Sequence, residues 1–358
     1  MSRKLLYLML FFCFTNCKTK KIQLKFLNEY VIQDSLKFKN TVIGGISGID
    51  FNNQQYYMVV DDAKNPRVLV ADITIKKDSI KEVTFKKIIH LKSNSQFYKN
   101  NILDLEAVFI KNNQLNLASE GAINKGKNPT IFIIDTLGNF KEQISIPTYF
   151  KAKAAAQPKH NATFESSSIS VDEKGFWVAM EAPLKIDGAQ PMFYKTQSPI
   201  RITYFNNQTK KATKQFAYQL EKIDKPEKGN INLNGVTAIL AIKNNSFLIV
   251  ERMYQSGYEN KGNTIRIFKA TINKTSTNTL YIESLKKEKY TPLKKELLFD
   301  FISVQHKLTN GVIDNIEGIT LGPKLSNGNS CLILVSDDNF QVYGKQLNQF
   351  LLLEIEKQ

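Results

Sequence analysis

Acidic residues recur in this sequence at the ends of short β-hairpin patterns. Five segments share one order: a polar residue or glycine, an apolar run, a turn, a second apolar run and a closing acid. In an antiparallel hairpin, the start of the first strand lies beside the end of the second. We therefore expect the acids of all five hairpins to gather at one rim. These acids are Asp61, Asp62, Glu106, Glu120, Glu165, Glu181, Glu251, Glu317, Asp337 and Asp338.

Carboxylates at such close range raise one another's pKa and destabilise the fold unless cations lie between them. The available cations are Arg67, Arg201, Arg252 and Arg266, nearby lysines, or a hard metal ion such as Ca²⁺, which prefers oxygen ligands. The alternative interpretation is that each acid pairs with an arginine and caps a strand end. Because the acids outnumber the arginines, the pattern favours a metal or cation site.

The elements that must position these acids are strands. Past residue 30 the apolar runs are short, rich in β-branched and aromatic residues, and separated by Asn, Gly, Lys and Asp clusters. The five repeats begin at residues 48, 106, 165, 234 and 317, and a further strand starts near Arg67, Arg201 and Arg266. This spacing predicts an all-β fold, a β-propeller of five to six blades. The long interval before the fifth repeat, which includes Tyr281 and residues 297–301, has room for a sixth blade.

The first 17 residues have the composition of a secretory leader. Arg3 and Lys4 precede an apolar run of about ten residues, and Cys17 follows small or polar residues. The segment resembles a bacterial lipoprotein signal, with Cys17 as the lipidated residue. Asn16 is atypical of such a signal, so an ordinary secretory signal is the alternative. We therefore predict a signal peptide over 1–17, a tether and first strand over 18–37, and the propeller over 38–358. This order predicts a lipoprotein of the cell envelope, anchored to the membrane through Cys17 and facing the periplasm or the outer surface.

Composition excludes several other classes of function. The chain has 49 Lys and Arg against 33 Asp and Glu, a formal charge of +16 that should attract anions. Lys and Arg do not form runs interleaved with aromatic residues, so nucleic acid is not an expected partner. After loss of the leader and acylation of Cys17, Cys331 would be the single thiol. We therefore expect no disulfide, and zinc–thiolate and iron–sulfur sites are excluded.

Several blocks of the sequence resemble the phytase-like domain family, described as having esterase-like activity of phytase. The most specific blocks are Asn315-Ile-Glu317-Gly and Ser336-Asp337-Asp338-Asn-Phe, and Asp104-Leu-Glu106-Ala and Gly262-Asn263-Thr-Ile-Arg266 support them. The resemblance spans roughly residues 38–355. It departs from the family at Glu165, which Ser follows where the family usually has Gly, and around Asp61-Asp62, which lacks the usual Ser and Arg. The resemblance implies a propeller and a set of Asp and Glu residues that carry phosphoester hydrolysis.

Together, these patterns predict a metal-dependent phosphoester hydrolase that takes an anionic small-molecule substrate. The predicted metal ligands, most simply for Ca²⁺, are Asp61, Asp62, Asp104, Glu106, Glu317, Asp337 and Asp338. The predicted catalytic residues are Glu106, Glu120, Glu165, Glu181, Glu251 and Glu317. The predicted substrate-binding residues are Arg67, Arg201, Arg252, Arg266 and Asn263. A non-catalytic binding or scaffold propeller and a lactone-hydrolysing metal propeller remain the alternatives, because one fold serves many functions.

Overall fold

The fold is known from a computed structural model that describes residues 22–92, 94–154 and 158–357. The predicted leader and Cys17 lie outside these residues. The strands are β1 (Ile22–Ile32), β2 (Lys37–Phe38), β3 (Thr41–Val42), β4 (Ile46–Asn52), β5 (Gln55–Val60), β6 (Arg67–Ile75), β7 (Ile80–His90), β8 (Leu105–Lys111), β9 (Gln114–Ser119), β10 (Thr130–Asp135), β11 (Phe140–Ile144), β12 (Phe164–Ile169), β13 (Gly175–Met180), β14 (Pro199–Asn206), β15 (Lys211–Gln219), β16 (Asn232–Lys243), β17 (Ser246–Gln255), β18 (Asn263–Thr271), β19 (Lys294–Asp300), β20 (Asn315–Leu321), β21 (Ser330–Asp337) and β22 (Asn348–Lys357).

Helices are short in the described part of the chain. One α-helix, α1 (Gln96–Asn100), lies between β7 and β8. The 3₁₀ turns are Ile123–Lys125, Thr148–Phe150, Glu259–Lys261, Phe301–Lys307, Thr309–Gly311 and Asn339–Gln341. Among the described residues, no helix has the length and apolar character needed to cross a bilayer.

Five four-stranded antiparallel sheets form the blades of a β-propeller. Blades one to four each use four consecutive strands, β4 to β7, β8 to β11, β12 to β15 and β16 to β19. The innermost strands β4, β8, β12, β16 and β20 neighbour one another around a closed ring. A propeller of five blades is therefore confirmed.

The fifth blade closes the ring with both ends of the described chain. Its order from the centre outward is β20, β21, β22 and β1. The strand β1 pairs antiparallel with β22, from Ile22 beside Lys357 to Ile32 beside Asn348. The first strand expected within residues 18–37 is thus the outermost strand of the last blade. Backbone hydrogen bonds across this seam join the two chain ends.

The described residues do not contain the sixth blade for which the sequence left room. Residues 272–293, which include Tyr281, form no strand. The strand expected near residues 297–301 exists as β19. It is the outer strand of blade four, where it pairs with β18, and not part of a sixth blade. The extra length is therefore a loop, whose Thr279 amide donates to the Gln215 carbonyl on the outer strand of blade three.

The hydrophobic core lies between adjacent blades. Inner strands such as β8 are buried along almost their whole length, since a neighbouring blade covers each face. In blade three, the aromatic rings of Phe176 and Phe205 stack with centroids 5.3 Å apart, and Trp177 contacts Phe247 of blade four at 4.9 Å. Burial of these rings fixes the angle between the blades and holds the inner strands around one axis.

The inner strands approach one another most closely at the level of their β-bulges, which we call the waist, and the residues there are small. The positions that follow a β-bulge in the five inner strands are Gly48, Ala107, Ser166, Ala238 and Gly318. A Cβ atom at Gly48 would lie 2.6 Å from the Glu106 carbonyl oxygen, a distance shorter than any normal contact. The inner strands of five blades therefore approach too closely for larger side chains at this level.

Seam closure by β1 predicts an unequal response at two adjacent positions. Leu24 is 5% exposed and packs in the core of blades four and five, whereas the Lys25 side chain is 59% exposed. We expect Leu24→Ala to lower the free energy of unfolding by about 2–4 kcal/mol, because it leaves a cavity in the seam. Lys25→Ala should cost less than about 1 kcal/mol, since surface ion pairs contribute little. Equal losses in urea denaturation would contradict the role given to β1.

Candidate metal and active site

Each inner strand carries a β-bulge at the same level. The residue that the ladder skips is Ser47, Glu106, Glu165, Thr237 or Glu317 in blades one to five. A bulge leaves the extra residue unpaired and re-aims its side chain. Ser47 donates a hydrogen bond to the Leu105 carbonyl at 2.6 Å, and Thr237 donates to the Ile316 carbonyl at 2.8 Å. We call these five positions the bulge ring.

A second set of five equivalent positions follows from the strand register. The residue before each bulge pairs with a residue on the second strand, as Leu105 does with Ser119. The next residue on that strand is Asp61, Glu120, Glu181, Arg252 or Asp337 in blades one to five. We call these positions the strand-end ring. Four of the five blades thus place an acid there, and blade four places an arginine.

Seven acids of the two rings, together with Asp104, form one carboxylate cluster, which we call the central site. Carboxylate oxygens of Asp61, Asp104 and Glu106 all lie within 4.8 Å of one another. Oxygens of Glu120, Glu165 and Glu181 meet the same criterion. The remaining members are Glu317 and Asp337. Each trio brings together side chains from two neighbouring blades.

One guanidinium enters this cluster. The Nη1 atom of Arg252 donates to Glu317 at 3.1 Å and also to the Asn315 side-chain oxygen, and its Nη2 atom donates to Glu181 at 3.3 Å. Asn315 in turn donates to Glu317 at 2.9 Å. The Nε atom of Arg252 is buried and has no hydrogen-bond partner among the described residues. Arg252 therefore links blade four to blades three and five. Its single positive charge can neutralise only one of the eight carboxylates in the central site.

Burial raises the pKa of the seven acids of the two rings. Burial, a hydrogen bond to Asp104 and the Asp104 charge raise the pKa of Asp61 to about 10. Burial raises the pKa of Glu317 to about 7, and the charge on Arg252 opposes that rise. Burial first, and neighbouring carboxylates second, also hold four further pKa values well above the ordinary range, those of Glu106, Glu120, Glu165 and Asp337.

The donor set suits a hard divalent cation. Every ligating group in the two trios is a carboxylate, the class of oxygen ligand that Ca²⁺ and Mg²⁺ prefer. Glycine at position 235 allows Glu181 to sit close, since a Cβ there would lie 2.6 Å from the Glu181 Cγ atom. The two acidic trios could each hold a metal ion, and their residues do not identify which metal.

Comparison with known proteins agrees with this architecture. The sequence profile of the phytase-like family, described as esterase-like activity of phytase, matches residues 41–340. The chain belongs to the phytase-like family. The match supports a hydrolase-type propeller. No curated protein matches the sequence of the chain.

The solved structures that are similar to this phytase-like chain have low sequence identity and low TM-scores. A duf4221-family protein from Bacteroides vulgatus has 9% identity and a TM-score of 0.40, with 95% of this chain and 99% of that chain covered. The allergen Mala s 1 from Malassezia sympodialis has 9% identity and a TM-score of 0.43 over 87% of this chain and 93% of that one. The Dos1 propeller has 10% identity and a TM-score of 0.36 over 86% and 68%. At this similarity the matches carry no argument about activity.

Two pairs of adjacent acids, Asp61-Asp62 and Asp337-Asp338, are the acidic doublets of the phytase-like propeller. The second acid of each doublet stabilises the loop that follows. Asp62 accepts from Arg67 at 2.7 Å and caps the following turn. Asp338 accepts from the Gly45 amide at 2.8 Å and from Asn348 at 2.9 Å. The structure therefore separates the two doublets: the first acid lies in the central site, and the second stabilises the loop that follows.

Asp338 also supports a strained turn beside the central site. Asn339, Phe340 and Gln341 have φ values of 46°, 48° and 63°, which non-glycine residues rarely adopt in succession. Asp337 accepts from the Asn339 amide at 2.7 Å, and Asp338 accepts from the Phe340 amide at 3.2 Å. Two carboxylates thus compensate the strain by hydrogen bonding.

Three of the arginines predicted to bind substrate form ion pairs with acids that are not members of the central site. Arg67 pairs with Asp62, and the other two are Arg201 and Arg266. The fully buried Arg201 side chain forms a two-pronged contact with Asp187 at 2.6 and 2.8 Å. Arg266 pairs with Asp300 at 2.8 Å and with Asp224.

Asn263, also predicted to contact substrate, begins β18 opposite Tyr254. Its side-chain oxygen is buried and has no hydrogen-bond partner among the described residues. Of the five predicted substrate-binding residues, the structure places only Arg252 among the acids of the central site.

The alignment of Glu251 with the other closing acids is corrected by the strand register. Arg252, not Glu251, occupies the position equivalent to Glu120. A shift of one residue along a strand turns a side chain to the opposite face. Glu251 accordingly accepts from the Tyr218 hydroxyl at 2.6 Å and from Lys295 between blades three and four. Its predicted catalytic role has no support from its position.

Sequence reasoning overlooked the bulge ring as a set. A signal for it exists, since each bulge residue precedes a small residue, as in Ser47-Gly48 and Thr237-Ala238. Alignment on the small residue would have given the register directly. It would also have added Asn315, which lies two residues before Glu317 just as Asp104 lies two residues before Glu106.

The raised pKa values predict that the metal-free protein loses stability as pH rises. Glu317 has an ordinary pKa of 4.5 when unfolded and about 7 when folded. Between these values the folded state binds more protons than the unfolded chain, so stability falls with increasing pH. In excess chelator, we expect a lower melting temperature at pH 8 than at pH 5. Glu317→Gln should reduce this difference, and the exposed control Glu82→Gln should not. A higher melting temperature at pH 8 would contradict the assignment.

The position of Glu251 predicts a structural phenotype. Glu251→Ala removes the buried carboxylate that accepts from Tyr218, Asn234 and Lys295, while Lys295 keeps its contact with Glu221 at 2.8 Å. We expect a loss of about 2–4 kcal/mol in the free energy of unfolding, because buried donors lose their acceptor, with divalent-cation binding unchanged in titration calorimetry. Tyr218→Phe removes one hydrogen bond and should cost about 1–2 kcal/mol. Loss of cation binding in folded Glu251→Ala protein would place Glu251 in the site after all.

Proposed function

We propose that the protein is a divalent-cation-dependent phosphoester hydrolase of the cell envelope, most simply with Ca²⁺. One observation carries the proposal: among the residues that the structure describes, eight carboxylates share the central site with a single guanidinium. Such a cluster requires positive charge from solution or the retention of several protons at neutral pH. Membership of the phytase-like family supports ester hydrolysis as the use of that charge.

Two cation positions follow from the trios. Asp61, Asp104 and Glu106 would hold one ion, and Glu120, Glu165 and Glu181 would hold another. When bound, a divalent cation supplies positive charge that attracts a phosphoryl group and stabilises the charge developed during hydrolysis. Of the predicted ligands, Asp61, Asp104 and Glu106 form the first trio. Glu317 and Asp337 lie in the central site outside both trios, and the oxygens of Asp62 and Asp338 are engaged by the loops.

Arg252 is the residue best placed to orient an anionic substrate. Its weakest contact is the 3.3 Å hydrogen bond to Glu181, and its Nε donor is unpaired among the described residues. A phosphate oxygen that replaced Glu181 at Nη2 would gain a charge-assisted hydrogen bond. Asn315 and Glu317 hold the other edge of the guanidinium, so its plane remains fixed while the substrate binds.

Glu317 is the carboxylate best suited to move a proton at neutral pH. Its pKa of about 7 lets it exist in both protonation states near that pH. General acid–base catalysis is most effective when the pKa of the group is close to the working pH. The Asn315 and Arg252 hydrogen bonds end on Glu317 Oε1. They therefore orient the carboxyl group within the central site.

Envelope anchoring rests on the leader pattern. The apolar run after Arg3 and Lys4 would direct export, and lipidation of Cys17 would hold the mature chain at a membrane. The net positive charge would draw anionic phosphoesters toward the protein, and salt would weaken this attraction.

The proposal predicts chelator-sensitive turnover of a generic phosphate ester. Purified protein should hydrolyse p-nitrophenyl phosphate with Ca²⁺ present, and excess chelator should abolish release between pH 5 and 9. Glu106→Gln and Glu165→Gln should each lower kcat/KM at least about tenfold, since each removes one ligand from a trio. The matched surface variant Glu82→Gln should retain full activity.

Other results would select an alternative. Turnover that survives chelation would contradict cation dependence. Calcium binding in calorimetry without any phosphoester turnover would favour a binding propeller. Opening of a lactone panel by a protein inert toward phosphates would favour lactone hydrolysis.

A further inference from the structure

The direction of β1 determines which end of the propeller faces its anchor. In blade five, β21 ends at Asp337 in the central site, and the next strand, β22, runs away from that end. Because β1 is antiparallel to β22, Ile22 lies beside Lys357, at the end of the blade opposite to Asp337. The chain therefore enters the propeller from the side away from the central site.

We call this opposite side the turn face. It carries the five hairpin turns that join the first and second strands of the blades: residues 52–55, 111–114, 169–175, 243–246 and 321–330. The side that carries the central site is the site face. Its loops include those after Asp62 and Asp338.

The turn face combines lysines with exposed apolar side chains. Lys174, Lys243 and Lys324 are exposed in three of the hairpin turns. Val171 is 52% exposed and Leu321 is 39% exposed in the same set of turns. Basic side chains interspersed with apolar ones suit the headgroup region of an anionic bilayer.

The outer turns of the blades add further positive charge. Lys76 and Lys77 are exposed between β6 and β7, and Lys211 is exposed at the start of β15. The acids Asp172 and Glu173 are exposed in the third hairpin turn and oppose this charge in part. Each lysine near an anionic membrane surface adds to the attraction between protein and bilayer.

We propose that the turn face docks on an anionic lipid bilayer, so that the central site opens away from the membrane. The proposal rests on the proposed anchoring at Cys17, and it is independent of the proposed hydrolysis. Five residue steps separate Cys17 from Ile22, a distance of at most about 18 Å. A lipid on Cys17 thus keeps the start of β1, and with it the turn face, near the bilayer surface.

This orientation narrows the class of substrate. A central site that faces the aqueous phase receives water-soluble molecules directly. The headgroups of the anchoring membrane lie on the far side of the propeller and cannot reach the carboxylates. A soluble anionic phosphoester therefore fits the site, and a phospholipid of the same membrane does not.

Fluorescence quenching on vesicles tests the orientation with the full lipidated protein. Two single labels are compared, Asn244→Cys on the turn face and Tyr343→Cys on the site face. Both native positions are exposed, and Cys331 is buried, so it does not compete for the label. In vesicles of phosphatidylcholine and phosphatidylglycerol with nitroxide headgroups, we expect at least threefold stronger quenching at residue 244. Equal quenching or stronger quenching at residue 343 would overturn the proposal.

Charge variants test whether the lysines make the contact. Lys174→Glu combined with Lys324→Glu should lower quenching at residue 244 by at least half. The matched pair Lys64→Glu and Lys345→Glu, exposed on the site face, should leave it unchanged. Equal effects of the two pairs would overturn the docking contact.

The possible failures can be told apart. If labelled palmitate is not incorporated at Cys17, the anchor is wrong and the docking proposal falls with it. If the lipidated protein docks as described but hydrolyses no phosphoester, only the proposed function fails. Neither the palmitate nor the quenching measurement depends on turnover.

Discussion

Electrostatic repulsion within the central site is the constraint on which the rest of the structure depends. Eight carboxylates from blades one, two, three and five converge there, and Arg252 is the single guanidinium among them in the described part of the chain. Isolated ionised carboxylates are too costly to bury, so such a group either binds protons or shares cations. The raised pKa values of Asp61 and Glu317 express this cost. The blades must be stable enough to hold the acids together against it.

The fold meets that demand with packing and with hydrogen bonds at the waist. Aromatic rings between blades and the β1 seam supply apolar burial far from the charges. Closer to the axis, side chains join the inner strands directly, as when Asp50 accepts from the Ile110 amide at 2.8 Å and Thr320 accepts from the Phe51 amide at 3.1 Å. The two acids of each doublet have different roles, because Asp61 and Asp337 face the cluster while Asp62 and Asp338 stabilise loops.

The sequence indicated the architecture because hairpins of one kind repeat. Strand periodicity, turn residues and the arginine found near the third strand of three blades are local signals, and they predicted a propeller. The position of β1 in blade five could not be derived, since pairing between the two chain ends leaves no local pattern. The same limit explains why the sequence left room for a sixth blade. The interval before β20 is long and contains apolar residues, but residues 272–293 pack on blade three without forming strands.

The site was predictable as a set of acids and less so residue by residue. Glu106, Glu165 and Glu317 were found because each opens a repeat, yet their shared cause is a β-bulge that shifts the register by one residue. That shift also decided between Glu251 and Arg252, which a count along the sequence could not distinguish. The role of Arg201 could not be predicted from the sequence. A substrate-binding arginine and an arginine buried in an ion pair, as Arg201 is with Asp187, can be distinguished only when their surroundings are known.

Anomalous diffraction from crystals soaked in Mn²⁺ or a lanthanide would locate cations among these carboxylates. We expect two peaks in the central site, one between Asp61, Asp104 and Glu106 and one between Glu120, Glu165 and Glu181. Ions bound only at exposed surface acids, with both trios free of anomalous density in a saturated crystal, would contradict it.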